Sequence, residues 1–123
     1  DLLLLLLEYL NLCERLILNP YLNNFFFIFF VRIYFKNIDG SFLGCNKAFE
    51  AYIGKDQTAL VGKYVDDLGD NDQQINALEK QVLQNRNSVE QRIETDTKSY
   101  QLTIAPFYNE HQHLLGTMGI GRD

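Results

Sequence analysis

The last third of the chain has a two-residue hydrophobic period, which is the signature of β-strands. Residues 89–94 alternate between Val89, Gln91 and Ile93 on one side and charged residues on the other. Residues 100–104 alternate again after a turn at 96–98, and a closing apolar stretch follows the polar loop 109–113. Successive side chains of a strand point to opposite faces of its sheet. The pattern therefore predicts three consecutive antiparallel strands.

A hairpin signal lies in the first half of the chain. Residues 25–35 are rich in aromatic and β-branched side chains and predict a strand. Asp39-Gly40 follows, and this dipeptide is a strong signal for a tight turn between two strands. The short stretch from Phe42 to Cys45 is then predicted to be the returning strand.

Helical patterns separate this hairpin from the last three strands. Asn46 is a predicted N-cap for a helix that ends at Gly54, and Asp56 is predicted to cap a short helical turn. Asp70 and Gln73 resemble a capping box that opens a longer helix to about residue 86. In the long helix we expect Ile75, Leu78 and Val82 to face inward, and Glu79, Lys80 and Gln84 to face water. Antiparallel strands around a helical block predict the α+β class.

The first 24 residues predict an amphipathic helix and a connector ahead of a domain at 25–123. Five residues have the alternating three- and four-residue spacing of a coiled-coil seam. They are Leu3, Leu6, Leu10, Cys13 and Ile17. This helix could pack on its own domain or pair with a second copy of the chain, and a foreign origin of the leucine-rich segment is the third alternative. The apolar runs 2–7 and 25–31 are too short to span a bilayer, so we expect no membrane insertion.

Composition limits the function classes. The chain has 123 residues, 46% apolar and 22% charged, which is typical of one globular domain. Its formal net charge of −5 argues against nucleic acid as a partner. Two cysteines are too few for a disulfide framework, and the cytoplasm is therefore the expected location.

Residues 35–50 (FKNIDGSFLGCNKAFE) closely resemble the opening of a PAS sensory domain, where a DG turn precedes an N-x-A-F helix start. Gly54 and the stretch 60–63 resemble the turn that follows in that family, and residues 106–108 and 116–123 resemble its last two strands. The resemblance covers residues 33–123. It implies a five-stranded antiparallel sheet with a helical block between strands 2 and 3. Asp123 lies where the linker to the next domain of such proteins begins.

Within the family, Gly44-Cys45-Asn46 and the ending 118–123 look most like the PAS domain of ArcB-type hybrid sensor histidine kinases. The resemblance implies a redox-active cysteine at Cys45. The family's second cysteine would fall near Ser99-Tyr100, and it is absent here. Cys45 is therefore either a redox-responsive thiol or a small buried hydrophobe.

The resemblance also bears on cofactors and ligands. Haem-binding relatives carry a histidine on the long helix and photoactive flavin relatives carry an Asn-Cys-Arg motif, and neither occurs here, so no cofactor is expected. His111 and His113 lie on a predicted loop without further metal ligands, and no metal is expected. What remains is a cluster that forms either plain core or a ligand pocket. Its members are Phe42, Phe49, Tyr52, Leu78, Tyr100, Leu102 and Met118.

These observations predict a signal-sensing and dimerisation PAS module of a bacterial two-component sensor histidine kinase. It would form a homodimer and relay ligand or redox state to an output domain outside this chain, in the cytoplasm or as the cytoplasmic part of a membrane-anchored sensor. A ligand-free dimerisation domain and the PAS module of a diguanylate cyclase are the alternatives. An enzyme using His111 or Asp66 is disfavoured, because the sequence pairs neither with a nucleophile.

Overall fold

Five strands and three helices make up the part of the chain that the structure, a computed structural model, describes: residues 31–64 and 73–122. The elements are β1 (Arg32–Asn37), β2 (Phe42–Cys45), α1 (Lys47–Ile53), α2 (Gln57–Leu60), α3 (Gln73–Asn85), β3 (Val89–Glu94), β4 (Ser99–Tyr108) and β5 (Leu114–Arg122). Three predicted features lie outside the described residues. They are the N-terminal helix with its seam, the start of the first predicted strand, and Asp70 of the predicted capping box. None of the described helices is long and apolar enough to cross a membrane.

The strands form one antiparallel sheet in the order β2-β1-β5-β4-β3. The first and last strands in sequence are therefore neighbours, with β5 at the centre. This arrangement confirms the predicted α+β class and the helical block between strands 2 and 3. The fourth strand is longer than predicted, because it continues through Pro106 to Tyr108. β3 pairs with β4 only as far as Ile104, so at Pro106 strand β4 is paired with β5 alone. Proline is tolerated on such an edge, because its missing N–H is not needed for a strand pairing.

The two faces of the sheet carry separate apolar clusters. The cluster on the helix side combines sheet residues with Phe49 of α1, Leu60 of α2 and Val82 of α3. The cluster on the opposite face consists of Val31, Ile33, Phe35, Ala105, Phe107, Met118 and Ile120. Strand β1 contributes to both, because its odd-numbered residues face one way and Arg32, Tyr34 and Lys36 face the helices.

The hairpin between β1 and β2 turns where the sequence predicts. Gly40 has φ of 91°, a conformation that glycine adopts at little cost. The Asp39 carboxylate accepts hydrogen bonds from the backbone N–H of Ser41 at 2.9 Å and from its hydroxyl at 2.7 Å. These bonds, the hydroxyl bond above all, lower the pKa of Asp39. The turn is therefore held by its own side chains.

Asn46 fixes α1 to the sheet as well as capping it. Its side-chain oxygen accepts from Phe49 N, as an N-cap does, and also from Ile33 N of β1, both at 3.0 Å. Its amide nitrogen donates to the carbonyl oxygen of Val31 at 2.7 Å. One side chain thus sets where α1 begins and how it lies on β1.

Gly119 of β5 leaves the space that the ring of Tyr34 occupies on the helix side. A Cβ atom at position 119 would lie 2.1 Å from Tyr34 Cε2, a distance that requires something to move. At Gly121, two residues further along the same face, an added Cβ would find its nearest neighbour, Arg32 Nε, at an ordinary 3.6 Å. A methyl group added at Gly119 would therefore clash, whereas one added at Gly121 would fit.

We expect Gly119→Ala to lower the free energy of unfolding by about 2 kcal/mol, because the added methyl group must displace the Tyr34 ring. Gly121→Ala is the matched control on the same strand and should change it by less than about 0.5 kcal/mol. Urea unfolding followed by circular dichroism measures both. Equal effects of the two substitutions would contradict this packing.

Candidate functional site

A cavity of about 300 Å³ lies between the helix-side face of the sheet and helices α1 and α3. Five aromatic side chains from four elements line it: Tyr34, Phe42, Phe49, Tyr52 and Tyr100. Neighbouring rings in this set have centroids between 5.3 and 6.4 Å apart, which is the range of favourable aromatic contacts. Asn76, Thr95 and Thr97 add polar groups to the lining. A small apolar cavity with a few polar groups is the usual form of a small-molecule site.

The structure brings together most of the residues that the sequence grouped as a pocket. Those that line the cavity are Phe42, Phe49, Tyr52, Tyr100 and Leu102. Leu78 packs against the same helix-side cluster but is not part of the lining.

Met118 lies apart from the cavity, and grouping it with the pocket was wrong. It is fully buried in the cluster on the opposite face, where it pairs across the sheet with Phe35 and Ala105. On β5 the residues that alternate with it and face the helices include Gly119 and Gly121. Because these residues have no side chain, the sequence gives no polar alternation that would reveal which face Met118 occupies.

A buried ion pair joins the sheet to α3 beside the cavity. Lys36 Nζ lies 2.9 Å from Glu79 Oε1, and the Tyr34 hydroxyl donates to Glu79 Oε2 at 2.8 Å. Lys36 is 2% exposed and Glu79 is 6% exposed. Both oxygens of the buried carboxylate therefore have a donor, as a charge removed from water requires.

The position of Glu79 corrects the prediction that it faces water. Glu79 lies four residues after Ile75 and three before Val82, so helical spacing places it in the middle of the inward-facing stripe. The charge of Glu79 favours exposure to water. Lys36 on the facing strand supplies the counter-charge that makes its burial tolerable. Sequence reasoning missed Lys36 altogether. The available signal was its place two residues after Tyr34 on the same face of a strand.

The ammonium group of Lys36 also contacts aromatic rings of the cavity wall. Its Nζ lies 5.0 Å from the ring centroid of Phe42 and 5.3 Å from that of Tyr34. A cation over an aromatic face is attracted by the negative charge density of the ring. Lys36 thus connects the cavity wall to Glu79 on α3.

We expect Lys36→Met and Glu79→Gln each to destabilise the fold by about 3 kcal/mol, because each leaves one buried charge without its counter-charge. The double variant should lose less than the sum of the two, since it buries no charge and the glutamine can still accept a hydrogen bond from Tyr34. A double-mutant cycle by urea unfolding measures the coupling. Additive losses would show that the two groups do not interact.

Two further cations lie at the rim of the cavity around Tyr52. The guanidinium carbon of Arg32 is 4.4 Å from the ring centroid of Tyr52, and Lys98 Nζ is 4.6 Å from the same centroid. Arg32 also lies 5.2 Å from the ring centroid of Tyr100. Among the described residues that line the cavity there are three cations and no carboxylate.

Cys45, the candidate redox residue, lies half-buried at the end of β2 and does not line the cavity. Burial and the nearby Glu50 carboxylate raise the pKa of its thiol to about 11, and Lys47 opposes them only in part. The thiol is therefore protonated at neutral pH, whereas the thiolate is the reactive form. These surroundings favour the small buried hydrophobe over the redox-responsive thiol.

We expect Cys45 to react slowly with iodoacetamide at pH 7.5 in a Cys13→Ser background. The rate should rise about tenfold per pH unit to pH 10, because the thiolate fraction rises in proportion below the pKa. Mass spectrometry of quenched samples measures the rate, with free cysteine as the reference. A rate that levels off below pH 9 would contradict the surroundings described here.

The two histidines of the chain do not form part of a metal site in the described part of the chain. His111 and His113 lie in the loop between β4 and β5, where the Asn109 side chain accepts their backbone N–H groups at 2.8 and 2.9 Å. Among residues 31–64 and 73–122, no cluster of three histidine, cysteine, aspartate or glutamate side chains could hold a metal ion. Asp66 lies outside the described residues.

Comparisons with known proteins agree with this architecture. The family model described as the PAS fold matches residues 31–123. No curated protein matches the sequence significantly.

Solved structures share the fold at low sequence identity. The PAS domain of the histidine kinase ThkA is 23% identical with a TM-score of 0.67, and the match covers 76% of this chain and 98% of that one. A sensory box sensor histidine kinase from Vibrio cholerae is 14% identical with a TM-score of 0.69, covering 80% and 85%. VqmA of Vibrio cholerae, in a structure bound to DPO, is 15% identical with a TM-score of 0.60, covering 75% and 50%.

Proposed function

This chain belongs to the PAS family, and we propose that it is the signal-sensing module of a bacterial signal-transduction protein that binds a small molecule in the cavity beside Tyr34 and Lys36. The observation that carries the proposal is a cavity of about 300 Å³ that the surrounding aromatic side chains leave unfilled. A concave, mostly apolar pocket with a few polar groups in its lining is the usual form of a small-molecule site. Histidine kinase sensor domains are among the structural neighbours and support a sensory role.

One structural neighbour, VqmA, has been solved bound to DPO, and the likeness covers half of that chain. The low identity makes this a likeness of fold alone, so the ligand of this chain is a separate question. A histidine kinase is the proposed parent protein, since two of the neighbours come from such kinases. The ArcB-type redox function has less support, because the raised pKa of Cys45 keeps its thiol protonated.

The proposed route for the signal runs through the buried ion pair. Tyr34 and Lys36 line the cavity and both hold Glu79 on α3. A ligand that contacts either side chain changes the partners of Glu79 and thereby the position of α3 on the sheet. Such coupling requires the ligand to bind the two arrangements with different affinities.

Dimerisation through the N-terminal seam is part of the proposal. The positions concerned are Leu3, Leu6, Leu10, Cys13 and Ile17, all outside the described residues. The output domain is proposed to belong to the same parent protein. In that arrangement a shift of α3 would be transmitted to the output domain through the contacts between the two subunits.

Native mass spectrometry of the protein purified under non-denaturing conditions tests the proposal, because it reports ligand and subunit count together. We expect a dimer with one small molecule for each subunit. Leu102→Phe, which adds a ring at the cavity wall, should lose the small molecule while remaining dimeric. Met118→Leu on the opposite face is the control and should retain it.

The dimer is tested separately by Leu6→Glu combined with Leu10→Glu, which should give a monomer that still holds the small molecule. A dimer without any bound molecule, unchanged by Leu102→Phe, would instead identify a ligand-free dimerisation domain. A wild-type monomer at tens of micromolar would contradict the pairing.

A further inference from the structure

The ammonium group of Lys36 has more donors than the described residues accept. An ammonium group carries three N–H donors. Among residues 31–64 and 73–122, Lys36 Nζ has one hydrogen bond, which it donates to Glu79 Oε1 at 2.9 Å. The ring centroids of Phe42 and Tyr34 lie 5.0 and 5.3 Å away, which permits attraction of the charge but is too long for a hydrogen bond. The remaining N–H donors therefore have no acceptor among the described residues.

The cavity is where an acceptor for these donors would fit. Lys36 is 2% exposed, so it is not solvated in the way that a surface lysine is. Lys36 lines the cavity, whereas Glu79 does not. The ammonium group thus contacts the carboxylate and also borders the cavity. A buried donor without an acceptor is unfavourable, so a molecule that brings an acceptor to this point gains binding free energy.

The charge of the ion pair decides which kind of acceptor is favoured. Lys36 and Glu79 are neutral as a unit. A second anion at Lys36 Nζ would lie close to the Glu79 carboxylate, and two buried like charges repel each other. An uncharged oxygen, such as the carbonyl oxygen of a ketone or an amide, avoids that repulsion. It still accepts from a charged donor, and such hydrogen bonds are the stronger ones.

The rest of the lining favours a planar molecule. Phe42 and Phe49 present rings to the cavity, and flat molecules make the largest contact with such surfaces. Asn76 of α3 lies three residues before Glu79, also lines the cavity and is half-buried. Its side chain has no hydrogen bond within the described part of the chain, and an amide can both donate and accept. Asn76 thus offers a second polar contact on the helix side.

We infer that the cavity binds a small, planar, uncharged molecule whose carbonyl oxygen accepts a hydrogen bond from Lys36 Nζ. This inference rests on the proposed sensory function and adds the chemical class of the ligand. It also gives the ligand a direct contact with the ion pair that joins α3 to the sheet, because the same ammonium group bonds the ligand and Glu79.

Three bicyclic probes of similar size test the inference: 1-indanone, indane and 1-aminoindane. Isothermal titration of the whole chain at pH 7.5 should show 1-indanone binding about tenfold more tightly than indane, although indane is the more apolar molecule. 1-Aminoindane is a cation at this pH. It should bind at least about tenfold more weakly than 1-indanone, because its charge would lie beside that of Lys36.

Infrared difference spectroscopy measures the hydrogen bond itself in the wild-type chain. The carbonyl stretch of bound 1-indanone should lie below its frequency in hexane, because a hydrogen bond to the oxygen weakens the C=O bond. A ¹³C label at the carbonyl carbon identifies the band. This measurement does not depend on the stability of any variant.

Two variants that share one substitution assign the donor to Lys36. Glu79→Gln retains Lys36 and should still bind 1-indanone more tightly than indane. Glu79→Gln combined with Lys36→Met removes the donor without leaving a buried charge, and its affinities for the two probes should differ by less than about twofold. Lys55→Met removes an exposed lysine that does not line the cavity, and it should change neither affinity. Circular dichroism verifies that each variant is folded.

Three results would overturn the inference while leaving the proposed function in place. They are indane binding as tightly as 1-indanone, a carbonyl frequency equal to that in hexane, and a preference for 1-indanone that survives the Lys36→Met substitution. If none of the probes binds, the assigned ligand class is wrong. The proposed function is then still judged by the molecule that native mass spectrometry finds, so the two failures are distinguishable.

Discussion

The buried contact of Glu79 with Lys36 and Tyr34 joins helix α3 to strand β1 inside the sheet. Removing two charges from water is costly, and the cost is tolerable only when each oxygen of the carboxylate has a donor nearby. The hydroxyl of Tyr34 and the ammonium group of Lys36 supply those donors at 2.8 and 2.9 Å. The requirement fixes where α3 lies on the sheet and where the Tyr34 ring stands. Gly119 is the consequence on β5, since the ring occupies the space above it.

Strand β1 connects this buried contact to the cavity. Arg32, Tyr34 and Lys36 alternate along one face of a strand inside the sheet, so they provide in order the rim, the wall and the innermost charge of the cavity. Asn46 anchors α1 to the same strand and thereby places Phe49 and Tyr52 opposite these side chains. A molecule in the cavity touches groups that hold α3, and this connects binding to a change in packing.

The sequence predicts the fold better than the site. Alternation in residues 89–94, the Asp39-Gly40 turn and the Asn46 cap are local patterns, and the structure has all three. The burial of Glu79 is not a local property, because it depends on a lysine more than forty residues away on another element. Met118 was misplaced for a related reason: the glycines that alternate with it on β5 have no polarity to mark a face. Pairings across the sheet and between layers decide such cases, and one sequence does not contain them.

Native-state hydrogen exchange tests most directly whether the ion pair holds α3 on the sheet. The comparison is between the wild-type chain and Glu79→Gln, which keeps the shape of the side chain and removes its charge. We expect the amides of α3 to lose more protection than those of β4 and β5, because α3 then opens in a separate local transition. Equal losses in α3 and in the two strands would contradict it, since they would mean that the pair contributes to overall stability without positioning the helix.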